Sequence, residues 1–212
     1  MSVAREEILG RVRMALRDVP ADEDGAPPAF DESVDVAGAR CDLVALFCER
    51  VADYRADVRR VAVEEIAAAV IAACAERGAR RVAVPADLPE EWRPGGMAIV
   101  PDDGLSAEDL DGVDGVVSGC ALGIAETGTF ALDGGARQGR RALSLLPDLH
   151  VCVVDIEQIV DDVPAAMARL EPAAQEGRPI TLVSGPSATS DIELQRVEGV
   201  HGPRDLVVVV VG

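Results

Sequence analysis

Lysine is absent from the 212-residue chain, and so is asparagine. Without a lysine amine, Schiff-base catalysis, covalent attachment of pyridoxal phosphate and the lysine of a phosphate-binding P-loop are excluded. Without asparagine there is no N-glycosylation acceptor. Aromatic residues make up only 2% of the chain, too few rings to stack the bases of single-stranded nucleic acid. Positive charge is also scarce: 20 basic residues against 38 acidic ones leave a net charge of −18, which repels a phosphate backbone. Neither nucleic acid nor an anionic membrane is expected as a partner.

Cysteines are few and far apart. Cys41, Cys48, Cys74, Cys120 and Cys152 show no C-x-x-C spacing of the kind that zinc, iron–sulfur or thioredoxin chemistry uses. No Gly-x-Gly-x-x-Gly strand-to-helix fingerprint is present either, so no cofactor or metal of the chain's own is expected. An odd number of dispersed thiols suits a reducing compartment. No early apolar run has a basic flank and cleavage site, and Val207 to Val211 is far too short to span a bilayer. The expectation is a cytoplasmic chain without membrane insertion.

What is abundant is Ala, Val, Leu and Ile, enough for one packed core with an appendage at one end. In the appendage, residues 1–40, Ile8, Val12, Leu16 and Val19 recur at helical spacing and predict an amphipathic helix over Ser2–Val19. Pro20 to Arg40 is rich in Asp, Glu, Pro, Gly and Ala and reads as a solvated acidic linker. In the domain, residues 41–212, Leu43, Phe47, Val51 and Tyr54 predict one helix and Glu64–Glu76 another that stops at Gly78. Strand-like runs recur at 58–63, 81–84, 97–100, 115–117, 123–125, 129–132, 150–154, 180–183 and 206–211. Five consecutive valines, Val207 to Val211, cannot alternate between core and solvent and predict a strand covered on both faces. Buried strands interspersed with helices indicate a layered α/β fold.

Four polar clusters interrupt the apolar pattern. Glu126-Thr127-Gly128-Thr129 sits between two apolar runs. It reads as a hairpin turn with Gly128 at positive φ. It also reads as an anion cradle of Thr127, Gly128 and Thr129 with Glu126 as base or nucleophile. Both can hold at once. Gly134 to Arg141 sets three guanidiniums beside flexible backbone, suited to carboxylate or phosphate, with Arg140 as candidate contact and local ion pairing as the plainer account. Ser184 to Glu193 follows a strand; Ser190 and Glu193 form a capping box, and Ser187, Thr189 and Ser190 could hold an anion at that helix start. Glu198 to Arg204 contains His201, a candidate proton carrier near neutral pH or simply part of a tight connection. His150 at the head of a strand is a weaker catalytic candidate, and Cys120 and Cys152 read first as small buried hydrophobes.

In order along the chain, Ile124-Ala125-Glu126-Thr127-Gly128-Thr129, Gly139-Arg140-Arg141-Ala142-Leu143, Leu146-Pro147-Asp148, Ser184 to Glu193 and Glu198-Gly199-Val200-His201-Gly202-Pro203 resemble the LUD-domain family. The resemblance is specific over about Gly115 to Val211 and general in layout before that. It implies a fold similar to ribose-phosphate isomerases, glucosamine-phosphate deaminases and CoA transferases, with a mainly parallel central sheet flanked by helices. It also implies an accessory component of an L-lactate to pyruvate oxidation system, whose sibling proteins carry the iron–sulfur modules. The family brings no agreed catalytic residues. Two other functions stay open: an isomerase or acyl-CoA transferase-like enzyme using Glu126, and a sensor of a small carboxylate or phosphorylated ligand. Limited digestion with a glutamyl endopeptidase is expected to cut first between Pro20 and Arg40; first cuts within Gly115 to Val211 would overturn the domain assignment.

Overall fold

The computed structural model describes residues 3–15, 17, 36–186 and 202–212. The chain divides into two compact units, Met1–Asp35 and Val36–Gly212. In the first, α1 (Val3–Ala15) lies within the span expected to be helical, with Glu6 in its first turn and Arg13 in its last, the order that suits the helix dipole. Most of the expected acidic linker lies outside the described residues. α2 (Val36–Asp53) opens the second unit.

The five-valine run lies in β10 (Asp205–Val211), and all five valines are buried. β10 pairs in parallel with β1 (Asp57–Val61) on one side and β7 (Leu149–Asp155) on the other, so neither edge nor face meets water. Three further parallel strands, β4 (Gly115–Gly119), β2 (Arg81–Pro85) and β3 (Ala98–Asp102), complete a six-stranded sheet in the order β1-β10-β7-β4-β2-β3. The fold is therefore α/β with a parallel central sheet flanked by helices.

The period of two in a strand sends alternate valines to opposite faces. Val207, Val209 and Val211 join Val151 and Val153 under α3 (Ile66–Glu76). That helix presents Ile66, Ala69, Val70, Ala73 and Cys74, a stripe whose small members let it lie close to the sheet. After Arg77, Gly78 at φ 69 lets the chain turn away from the helix, as its position predicted. Val208 and Val210 face the other way, toward Val44, Phe47 and Val51 of α2.

A second, four-stranded sheet shares that far face. It consists of β8 (Ile159–Val160), β5 (Leu122–Ile124), β6 (Thr129–Leu132) and β9 (Thr181–Val183), in that order. β5 and β6 form an antiparallel hairpin, β9 runs antiparallel to β6, and β8 runs parallel to β5. The runs at 123–125, 129–132 and 180–183 mark three of these strands, but a residue pattern does not say which strands share a sheet. Phe130 and Leu132 face the valines; Leu122, Ile124 and Ala131 face Ala166 and Leu170 of α5 (Val163–Gln175). Asp162 caps α5 by accepting a 2.8 Å hydrogen bond from the Ala165 amide.

All six strands of the large sheet end on the same rim, so the segments after Pro85, Asp102 and Gly119 meet there. Phe47 sits between the two sheets with no exposure, and a Cβ at Gly123 would come within 3.0 Å of its ring. Phe47→Ala is expected to cost about 3–5 kcal/mol in urea unfolding. A loss under 1 kcal/mol would show that this face of the sheet is not packed as described.

Candidate functional site

The Glu126–Thr129 turn joins β5 to β6, and Gly128 occupies a positive φ of 60°. A second constraint acts there as well. A Cβ on Gly128 would stand 2.4 Å from the Arg50 carbonyl carbon and 2.5 Å from the Val51 nitrogen, so the turn lies directly on the α2 backbone. Thr127 Oγ1 donates to Thr129 Oγ1 at 2.8 Å, and Thr129 Oγ1 pairs with Ser184 Oγ at 2.6 Å. These hydroxyls satisfy one another and tie the turn to the end of β9. Gly185, at φ 114°, continues past Tyr54, where a Cβ would approach the tyrosine Cβ at 2.7 Å. Glu126 is exposed; its amide donates to the Asp161 carbonyl at 2.9 Å, and among the described residues its carboxylate has no hydrogen-bond partner.

Arg140 lies elsewhere. Its Nε and Nη2 donate to the two carboxylate oxygens of Asp102 at 2.9 and 3.0 Å, and it also meets the Leu105 carbonyl. Asp102 ends β3 with a nearly buried side chain, so the plainer account of Arg140, local ion pairing, describes it well. The β6–β9 ladder separates the two places. Thr129 stands at one end of β6 and Leu132, paired with Thr181, at the other, roughly 10 Å along the strand.

Around Arg140 the segment Asp133–Arg141 forms a braced loop beside the rim of the parallel sheet. Asp133 Oδ1 accepts from the Gly135 amide at 2.9 Å and from Gln138 Nε2 at 2.8 Å, while Oδ2 takes Arg178 Nη1 at 2.9 Å. Gln138 Oε1 accepts the Asp133 amide at 2.7 Å, so this buried amide serves the loop itself. Arg137 sits at φ 64°, held there by Asp87, which accepts its amide at 2.7 Å, and by Trp92, whose ring lies 5.2 Å below its guanidinium. A non-glycine residue in that region costs on the order of 1–3 kcal/mol and persists where its surroundings hold it.

Arg141 differs from its neighbours. Nη1 donates to Ser144 Oγ at 3.2 Å, and among the described residues no carboxylate pairs with it. Its charge is felt in the core by His150, which is fully buried on β7. His150 Nε2 shares a 2.8 Å hydrogen bond with Ser118 Oγ, and its Nδ1 has no partner among the described residues. Burial first, and the Arg141 charge second, lower the His150 pKa to about 4, so the ring is neutral at physiological pH. Burial likewise pushes the neighbouring Cys152 thiol well up, as a packed rather than reactive cysteine requires.

Of the residues singled out from the sequence, Thr127, Gly128 and Thr129 come together with Ser184, the first member of the third cluster. Glu126 stands at the exposed side of that turn, and Arg140 belongs to the other centre. Ser187, Thr189, Ser190 and His201 lie outside the described residues. Sequence reasoning passed over Asp102, Asp133, Ser144 and Arg178, whose partners lie 38, 45, 3 and 45 positions away along the chain, Ser144 having the local one. Only the run of arginines signalled their site. Among the described residues no group of three or more His, Cys, Asp or Glu side chains is placed to hold a metal ion. No described helix is long and apolar enough to cross a membrane.

Residues 105–211 match the profile of the LUD domain. A protein of Deinococcus radiodurans called lactate utilization protein C is 49% identical over 175 residues, covering 82% of this chain and 82% of that protein. A protein of the same name from Geobacillus thermodenitrificans is 28% identical over 189 residues, covering 80% of this chain and 78% of its own. Among solved structures, a DUF162 family protein from Deinococcus radiodurans superposes with a TM-score of 0.72 at 43% identity, covering 82% of this chain and 98% of that one.

The buried histidine makes a pH prediction. His150 has a folded pKa near 4 against an ordinary 6.5, so between those values the unfolded chain binds the extra proton. Stability then falls as pH drops from 6.5 toward 4, by up to about 3 kcal/mol from this residue. Urea unfolding of His150→Gln against the wild type is expected to show a shallower decline over that window. Equal slopes would mean that His150 is not held neutral.

Proposed function

The chain belongs to the LUD domain family, and from that premise we propose that it works in lactate utilization as an accessory component of an iron–sulfur system oxidising L-lactate to pyruvate. The observation that carries this reading is its 49% identity, over 82% of both chains, with a protein named for lactate utilization. The dispersed cysteines support a division of labour in which sibling proteins hold the iron–sulfur centres and this chain has none of its own. On this reading it acts in the cytoplasm, in complex with those siblings.

The geometry of the Glu126–Thr129 turn also favours an accessory role. Its hydroxyls are occupied with each other and with Ser184, and its glycine is needed for contact with α2. Glu126 is exposed, and its carboxylate has no hydrogen-bond partner among the described residues. It is placed in this proposal as a surface contact, with no catalytic duty.

Deleting the encoding gene is expected to abolish growth on L-lactate. A tagged chain restoring growth is expected to co-purify, under anaerobic conditions, with iron–sulfur proteins. The purified chain alone is expected not to reduce a dye acceptor with L-lactate; turnover under those conditions would overturn the accessory role. Glu126→Gln is expected to leave lactate-dependent growth intact. Loss of growth at an unchanged melting temperature would instead assign Glu126 to the chemistry.

A further inference from the structure

The braced loop Asp133–Arg141 forms one side of a cavity of about 270 Å³, with Thr181 of β9 and Ser144 on other sides. Arg140, Arg141 and Arg178 line it, and their charges are not equivalent. Arg140 is neutralised by Asp102, and Arg178 by Asp133 and Glu176. Arg141 has no carboxylate among the described residues, and only its Nη1 is used, by Ser144. Arg141 is thus the arginine of this cavity whose Nε and Nη2 have no acceptor among the described residues.

We propose that this cavity binds a small monocarboxylate, held by the two-point fork of Arg141 with the Ser144 and Thr181 hydroxyls beside it. The planar guanidinium matches a carboxylate in a bidentate arrangement. The Arg141 guanidinium supplies the charge that a carboxylate needs, while the Asp133 carboxylate lining the same cavity opposes a phosphate dianion. The volume lies at or below the lower end of small-molecule pockets, suiting an acid of a few heavy atoms over a nucleotide or a CoA ester.

The loop is shaped in advance for such a ligand. Gly139, at φ 68°, sits where a Cβ would lie 2.8 Å from Leu143 Cδ2, and Gly135 where one would lie 2.8 Å from Asp133 Oδ1. Arg137 is kept in its unfavourable conformation by Asp87 and Trp92. A loop fixed at this many points loses little freedom when a ligand arrives, and this favours affinity.

The site stands on its own geometry; the lactate reading only supplies the probes. Titration calorimetry of the full chain with L-lactate, pyruvate, inorganic phosphate and the neutral lactamide distinguishes the ligand classes. L-lactate or pyruvate is expected to bind and lactamide not. Arg141→Gln is expected to weaken binding about ten- to a hundred-fold, as loss of charge-assisted hydrogen bonds does, at an unchanged melting temperature. Arg141→Lys, which keeps the charge without the fork, is expected to fall between the two, and Glu126→Gln to bind as wild type. Absence of heat with both carboxylates, equal binding of lactamide, tighter binding of phosphate, or wild-type affinity in Arg141→Gln would each overturn the proposal. Failure here with intact co-purification removes only the site. Carboxylate binding by a chain that neither captures iron–sulfur proteins nor supports lactate growth removes only the accessory role.

Discussion

Much of the second unit follows from the need to keep water from both faces of one strand. β10 contributes valines to both sides of the sheet, and a central parallel strand is stable only when each face is covered. The Ala-rich α3 covers one face with small residues that allow close approach. The other face is covered jointly by α2 and the second sheet, and this shared cover determines where the polar segments go. The hairpin β5–β6 must lie on α2, and Gly128 is the residue that lets its turn reach the helix backbone.

The same arrangement explains why the most distinctive motif and the arginine-lined cavity are different places. In Glu126-Thr127-Gly128-Thr129 the hydroxyls and the glycine are absorbed by packing, an economical way to satisfy polar groups near the core without water. At the opposite end of β6 the chain emerges beside the rim of the parallel strands. There Asp133, Gln138 and Arg178 brace a loop that exposes guanidiniums to a cavity. Of the three arginines at this cavity, Arg141 is the one with no carboxylate partner among the described residues, and its field helps keep the buried His150 neutral.

Legibility from the sequence followed the length of the pattern. The valine run, the helix that stops before Gly78 and the pattern of Leu43, Phe47 and Val51 are repeated signals, and the structure contains all three, with Tyr54 just past the end of α2. Three strands of the second sheet were legible as short apolar runs, but their pairing into a separate sheet was not, because pairing joins segments distant along the chain. Gly128 was assigned a positive φ from turn chemistry alone, yet its contact with Arg50 and Val51 joins segments more than 70 positions apart, a relation no local pattern contains.

The amino-acid sequence by itself determined the fold class, the doubly covered strand, the absence of lysine and of C-x-x-C spacing, and the family resemblance. These rest on composition and on local periodicity, which survive in one dimension. Only the tertiary structure decided which charges remain uncompensated. Asp102 claims Arg140 and Asp133 claims Arg178 because sheet order brings together residues 38 and 45 positions apart. Ion pairing depends on distance in space, so only folding distinguishes Arg140, tied to Asp102, from Arg141, which has no carboxylate partner among the described residues.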